Sequence, residues 1–80
     1  MILIPGKLYT VIHPYNMSAY TINNEALIIP PKAILLYLKS SFASDPFVEL
    51  YFMYGTYQMS FIFNPKNVQT YLKEIIVYFK

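Results

Sequence analysis

The sequence predicts a single small domain that is mainly β, and three observations support this fold class. Runs of β-branched and aromatic residues fill most of the chain, which holds nine Tyr and six Phe in 80 residues, and these residue types favour strands. Pro, Gly or Asn interrupts the runs at short intervals, as in all-β domains. Two runs flank Gly55 and Thr56, which is typical of a tight hairpin. We expect one β-barrel domain over residues 1–80.

The first third of the chain predicts one clear strand and one long loop. Residues 7–13 form the first predicted strand, with Tyr9 and Val11 inward, or the reverse, because successive side chains of a strand point to opposite faces. Residues 14–25 are polar for this protein and predict a long loop, with a short strand at 19–22 as an alternative. Residues 26–29 predict a short strand or the entry to one.

Residues 33–40 predict the next strand, in which apolar side chains occupy both faces. The alternation assigns Ile34, Leu36 and Leu38 to the core. The outward-facing residues are then the intervening ones: Leu35, Tyr37 and Lys39.

The hairpin over residues 47–54 and 57–63 is the best-defined element. Gly55 at the first central position suits a two-residue type II′ turn, and that turn fixes the strand register. One face is then wholly apolar, through the pairs Tyr54–Tyr57, Phe52–Met59, Leu50–Phe61 and Val48–Phe63. The other face is mixed, through the pairs Met53–Gln58, Tyr51–Ser60 and Glu49–Ile62.

The C-terminal segment allows two interpretations. Asn64 and Pro65 suit the N-cap and first position of a helix. Helical spacing of apolar residues permits one helix over 65–79. A short helix ending near Lys73, followed by a strand over 75–79, is the interpretation we favour, because the last run is dense in β-formers.

The order of these elements resembles the small Src-homology-3-like barrel, in which a helical turn precedes a last strand that returns beside the first. The matching segments are residues 6–11, the loop 14–25, the hairpin about Gly55, and residues 64–79. The resemblance implies about five strands and a short helix near the C-terminus, in a sheet whose closure protects its edges. The alternative is an α+β fold with a C-terminal helix over 65–79.

The resemblance does not extend to proline-rich peptide binding. The peptide-binding members use a Trp and an acidic long loop, whereas this chain has no Trp and the loop has one acid, Glu25. In size and composition the chain is also similar to accessory proteins of tailed phages.

The composition excludes several classes of function. Cysteine is absent, so disulfides, thiolate metal sites and a Cys nucleophile are excluded. With only two glycines, a phosphate-binding Gly-rich loop is excluded as well. The net charge of +2 comes from scattered lysines without any arginine, so we expect no sequence-specific reading of DNA.

Groups for catalysis are equally scarce. His13 has no recognisable partners for a catalytic triad, and we interpret it as a surface or loop-anchoring residue. The four carboxylates are spread along the chain at Glu25, Asp45, Glu49 and Glu74. We therefore expect no enzyme, with no catalytic residue, cofactor or metal site.

Membrane insertion and export are not expected either. No apolar stretch reaches the roughly 20 residues that a membrane-spanning helix needs. The N-terminus lacks the basic segment of a signal peptide, so we expect a cytoplasmic protein.

The tyrosines are the residues most suggestive of function, because a buried Tyr must satisfy its hydroxyl and nine are hard to bury in so small a core. We expect a partner-binding or self-association patch on the mixed face of the hairpin and a second set in the long loop. The predicted partner-binding residues are Leu35, Tyr37, Tyr51 and Met53 on the face, and Tyr15, Met17 and Tyr20 in the loop.

The sequence thus predicts a non-enzymatic protein-interaction module, either a homo-oligomer or an adaptor or inhibitor of a larger protein, such as a host protein. The alternative is single-stranded nucleic-acid binding, with bases stacked on Tyr37 and Tyr51 and with Lys39 and Lys32 near the backbone. No small-molecule substrate is evident.

Overall fold

A computed structural model describes residues 2–76 as one curled antiparallel sheet with a short helical segment. Its strands are β1 (Leu8–Val11), β2 (Met17–Thr21), β3 (Ala26–Ile29), β4 (Ile34–Ser44), β5 (Phe47–Tyr54), β6 (Tyr57–Phe63) and β7 (Leu72–Glu74). They are ordered β3-β2-β6-β5-β4-β1-β7 and form a half-barrel. The prediction of a mainly β fold is confirmed, with seven strands in the described residues rather than about five.

The β5–β6 hairpin has the predicted bounds and register throughout, from Tyr54 opposite Tyr57 to Val48 opposite Phe63. Gly55 has a φ of 59°, which is what the first central position of a type II′ turn requires. Its apolar face is the one that is buried, with Phe52 fully inaccessible to solvent. We call this the inner face of the sheet, and the opposite one the outer face.

The predicted long loop over 14–25 is wrong in its middle, because Met17–Thr21 forms strand β2, which overlaps the alternative short strand at 19–22. Met17 and Ala19 are buried on the inner face, while Ser18 and Tyr20 are exposed on the outer face. The segment therefore alternates as a strand should, although its polar residues hide the pattern. Strand β3 has the bounds predicted for the short strand at 26–29 and pairs with β2.

The face assignment of β4 is also wrong. Leu35 and Tyr37 are buried, whereas Ile34 is 55% exposed and Leu36 is half-buried. Both faces of this strand are apolar, so its own alternation cannot select the inner one. Pairing with its neighbours does so, because Leu35 lies opposite Tyr9 of β1.

The C-terminal segment follows the favoured interpretation in part. A 3-10 turn (Pro65–Asn67) runs into a short helix α1 (Val68–Tyr71). Asn64 Oδ1 caps the 3-10 turn by accepting a hydrogen bond from the Lys66 amide at 3.1 Å. A single helix over 65–79 is wrong, because β7 begins at Leu72. That strand pairs with β1, so the last strand of the described residues does return beside the first. The predicted strand 75–79 extends beyond the described residues.

A continuous series of aromatic contacts crosses the inner face. The ring centroids of neighbouring members lie 5.2 to 6.3 Å apart, which is the range of favourable aromatic pairs. Tyr9 ends the series, and its hydroxyl accepts a hydrogen bond from the Ile4 amide at 2.8 Å. In order, the series is Tyr9, Tyr37, Phe52, Phe61, Phe63 and Tyr71.

Candidate binding site on the outer face

The structure divides the partner-binding patch predicted on the sheet. Leu35 is 0% and Tyr37 is 4% exposed, so both belong to the core and neither presents a binding surface. Tyr51 and Met53 are half-buried on the outer face of β5. Only the β5 half of the predicted patch is therefore on an accessible surface.

The second predicted set is divided as well. Met17 is buried in the core, and Tyr15 is exposed and packs edge-on against His13 at 5.9 Å between ring centroids. Tyr20, 54% exposed, lies on the outer face of β2. Strand β2 neighbours β6, so this face brings Tyr20 towards Tyr51, a proximity that the sequence did not predict.

A row of side chains across four strands forms the centre of the site. Tyr20 of β2 lies opposite Ser60 of β6, Ser60 lies opposite Tyr51 of β5, and Tyr51 lies opposite Lys39 of β4. The two tyrosines are thus two strands apart, or roughly 10 Å at the backbone, because neighbouring strands are about 4.8 Å apart. Between them stands the small side chain of Ser60, which leaves a groove between two phenol rings.

The groove opens into a cavity of about 760 Å³. One cause is the limited pairing of β2 with β6, which extends over Tyr20–Ser60 and Thr21–Met59. Six of the side chains that line it come from β2, β5 and β6: Tyr20, Glu49, Tyr51, Gln58, Ser60 and Ile62. We call these six residues the outer-face groove.

Glu49 supplies the charge of the groove. Its side chain is half-buried, and its Oε1 and Oε2 accept hydrogen bonds from Tyr51 Oη at 2.9 Å and from Ser60 Oγ at 2.7 Å. Both donors are neutral hydroxyl groups, so they orient the carboxylate without cancelling its charge. These two hydrogen bonds therefore hold Ser60, at the floor of the groove, and Tyr51, at one wall, to the carboxylate of Glu49.

Lys39 stands at the far side of the Tyr51 wall, with its Nζ 5.1 Å from the ring centroid. This distance is within cation–π range. A β-bulge in β4 lies between Tyr37 and Lys39, and the extra residue reverses the alternation beyond it. The predicted outward position of Lys39 is therefore confirmed, although Tyr37 two residues earlier faces inward.

His13 lies elsewhere, at a second cavity of about 410 Å³ that Tyr71 and Phe63 also line. It is half-buried, and its ring centroid is 4.8 Å from that of Tyr71. Stacking against both Tyr15 and Tyr71 is consistent with the interpretation of His13 as a loop-anchoring residue. His13 and Glu49 line different cavities, so they do not form a combined acid–base site.

Four groove residues are missed by sequence reasoning, which places them on the mixed face of the hairpin without a role: Glu49, Gln58, Ser60 and Ile62. The hairpin register already placed Ser60 beside Tyr51. What the sequence lacked was the neighbouring strand β2, which supplies the second wall.

Comparison of the chain with protein families, with curated proteins and with solved structures finds no match. Within residues 2–76, no helix has the length and apolar character that crossing a bilayer demands. The same part of the chain holds no group of three or more His, Cys, Asp or Glu side chains placed to share a metal ion.

Proposed function

We propose that the protein is a non-enzymatic protein-interaction module whose partner docks on the outer face of the sheet, over the outer-face groove. The observation that carries the proposal is the groove itself, in which two tyrosine walls and an oriented carboxylate surround a cavity of about 760 Å³. Concave sites that combine aromatic side chains with a small number of placed polar groups are the usual form of binding sites.

The surroundings of the groove support docking of a large partner. Ile62 is 64% exposed beside Glu49, and Ile28 is 56% exposed opposite Ser18 on the neighbouring strands. Exposed apolar side chains grouped on one face of a small protein favour an interaction surface, and Tyr and Met are enriched at such interfaces. The partner would cover both isoleucines while it fills the groove.

We further infer that the half-barrel is a variant of the small Src-homology-3-like barrel, of the type carried by accessory proteins of tailed phages. Two features support this inference: a helical turn precedes the last strand, and that strand pairs with the first. A cytoplasmic adaptor or inhibitor role, directed at a larger protein, would suit such a module.

Single-stranded nucleic acid is the second candidate ligand. It is favoured by the proximity of Lys39 to the Tyr51 ring, since bases stack on aromatic residues while cations follow the backbone. Two observations weigh against it: Glu49 would repel phosphates, and Tyr37, the other proposed stacking residue, is buried.

Site-specific photocrosslinking tests the proposed surface. A benzoyl-phenylalanine at position 62 places the reactive group beside the groove. Position 42 is a matched control, because Phe42 is also an exposed apolar strand residue, at the far end of β4. Position 15 tests the alternative surface around Tyr15. Each variant is irradiated in extracts of the cells that naturally produce the protein.

We expect covalent adducts with one discrete protein at position 62 and little or none at positions 42 and 15. An adduct of twice the chain's mass would identify self-association, and a different mass would identify a separate partner. Adducts at position 15 alone, or equal yields at all three positions, would overturn the proposed surface.

A further inference from the structure

We propose that the outer-face groove recognises a cationic side chain of the partner, arginine in preference to lysine. This inference rests on the proposed function and specifies the chemistry of its partner. It follows from the spacing of Tyr20 and Tyr51, from the hydrogen-bond acceptor capacity of the Glu49 carboxylate, and from the contact of Lys39 with the Tyr51 ring.

The walls fit a flat cation. Tyr20 and Tyr51 stand two strands apart across Ser60, at roughly 10 Å between their strands. A planar group stacked between two rings needs about 3.5–4 Å on each side, which is together less than the spacing of the two strands. Arginine stacks on aromatic faces through its planar guanidinium, whereas the lysine ammonium has no plane to stack.

Glu49 fits the charge of that group. Its two oxygens each accept one hydrogen bond from within the sheet, and an ionised carboxylate offers about four acceptor sites in all. Acceptor capacity therefore remains for a donor from the groove. Arginine forms paired, charge-assisted hydrogen bonds with carboxylates, which are stronger than neutral ones.

The contact of Lys39 with Tyr51 supports a cationic ligand. Its Nζ lies 5.1 Å from the ring centroid. Lys39 belongs to β4, whereas Ser60 and Tyr20 belong to β6 and β2, on the other side of β5. The ring therefore already receives a cation from the chain itself. A ligand cation would approach the Tyr51 ring from the groove.

The sequence also indicates where that cation comes from. The chain contains no arginine, so a second copy could offer only lysine. The proposed preference for arginine therefore implies a partner other than a second copy, with an arginine exposed within an apolar surface that covers Ile28 and Ile62.

A two-dimensional NMR titration of the full chain tests this recognition directly. The probe is Nα-acetyl-arginine methylamide, and its neutral control is Nα-acetyl-citrulline methylamide, which has the same shape without the charge. The lysine analogue and an eight-residue thymidine oligonucleotide are titrated in parallel. The first variant is Glu49→Gln, which removes the charge and keeps one oxygen to accept hydrogen bonds. Its matched control is Glu25→Gln, because Glu25 is an exposed acid that does not line the outer-face groove.

We expect the arginine probe to shift amide signals of Tyr20, Glu49, Ser60 and Ile62, with a Kd on the order of a millimolar, as for a ligand this small. The citrulline probe and the oligonucleotide should leave these signals unchanged. Glu49→Gln should weaken arginine binding by about tenfold, the value of one charge-assisted hydrogen bond, and Glu25→Gln should not.

Three results would overturn the inference: equal binding of citrulline and arginine, binding insensitive to Glu49→Gln, or shifts confined to another surface. Oligonucleotide binding that strengthens in Glu49→Gln would instead favour nucleic acid. If the arginine probe fails while position 62 still crosslinks to a protein, the docking surface stands and cation recognition is wrong. If the probe binds but nothing crosslinks, the proposed interaction function is wrong.

Discussion

At the scale of single residues, burial separates the tyrosines that build the fold from those that are free to bind. Tyr9 and Tyr37 are inside the core, whereas Tyr20 and Tyr51 form the walls of the groove. The sequence predicts the strand of Tyr51 and its outer face, because the hairpin register is unambiguous. It cannot predict the burial of Tyr37, because apolar residues occupy both faces of β4.

Replacement of Tyr9 by Phe tests whether a core tyrosine is retained for its hydroxyl. The Tyr9 hydroxyl accepts the hydrogen bond of the Ile4 amide, in a partly buried position. Its loss leaves that N–H without this acceptor, and we expect Tyr9→Phe to lower the free energy of unfolding by about 1 kcal/mol. Urea denaturation measures the change. The control Tyr20→Phe, at an exposed position, should stay within about 0.5 kcal/mol, and equal losses would contradict the assignment.

At the scale of secondary-structure elements, the parts predicted well are those in which turn and alternation agree. The β5–β6 hairpin meets this condition, and its whole register was predicted. The sequence predicts a loop for most of β2, with a short strand at 19–22 as the alternative, because Ser18 and Thr21 give the segment a polar appearance, although Met17 and Ala19 are buried. Its structure depends on pairing with β3 and β6, which no local pattern reveals.

A pair of alanine substitutions in β4 tests which face is inside. Leu35→Ala should lower the free energy of unfolding by about 2–5 kcal/mol, because it leaves a cavity in the core. Ile34→Ala, at a side chain that is 55% exposed, should cost far less. Urea or thermal unfolding compares the two variants, and complete unfolding of Leu35→Ala alone would agree with the prediction. A larger loss at Ile34 would restore the face assignment made from the sequence.

The type II′ turn makes a separate prediction at Gly55, whose φ is 59° and around which an added Cβ would meet nothing within 4 Å. Gly55→Ala should therefore destabilise the hairpin through backbone strain alone, by about 1–2 kcal/mol. Chemical synthesis with D-alanine at this position provides the control. D-alanine favours positive φ, so the D-variant should be at least as stable as the parent. Equal destabilisation by both enantiomers would contradict the turn assignment.

At the scale of the whole molecule, the binding site arises from the order of the strands. The groove exists because β2 lies beside β6 and places Tyr20 across Ser60 from Tyr51. These strands are distant in sequence, so their neighbourhood follows from the curl of the complete sheet. The hairpin register predicted from the sequence places Tyr51, Ser60 and Glu49 on one face. The sequence does not predict that Tyr20 of β2 lies beside them.

The arrangement also revises the meaning of the excess of aromatic residues. Six of them form the continuous series on the inner face, so the core accounts for much of the excess. What remains for binding is a smaller and more specific surface, centred on a carboxylate rather than on apolar area alone.

One experiment tests directly whether the partner docks on the outer-face groove and whether it binds there through the charge of Glu49. Photocrosslinking from position 62 is compared between the parent sequence and the Glu49→Gln variant, after circular dichroism has established that both are folded, with Glu25→Gln as the control. We predict that the adduct formed by the parent falls by about tenfold in Glu49→Gln and is retained in Glu25→Gln. An undiminished adduct in Glu49→Gln would contradict the claim that this groove binds its partner through a cation.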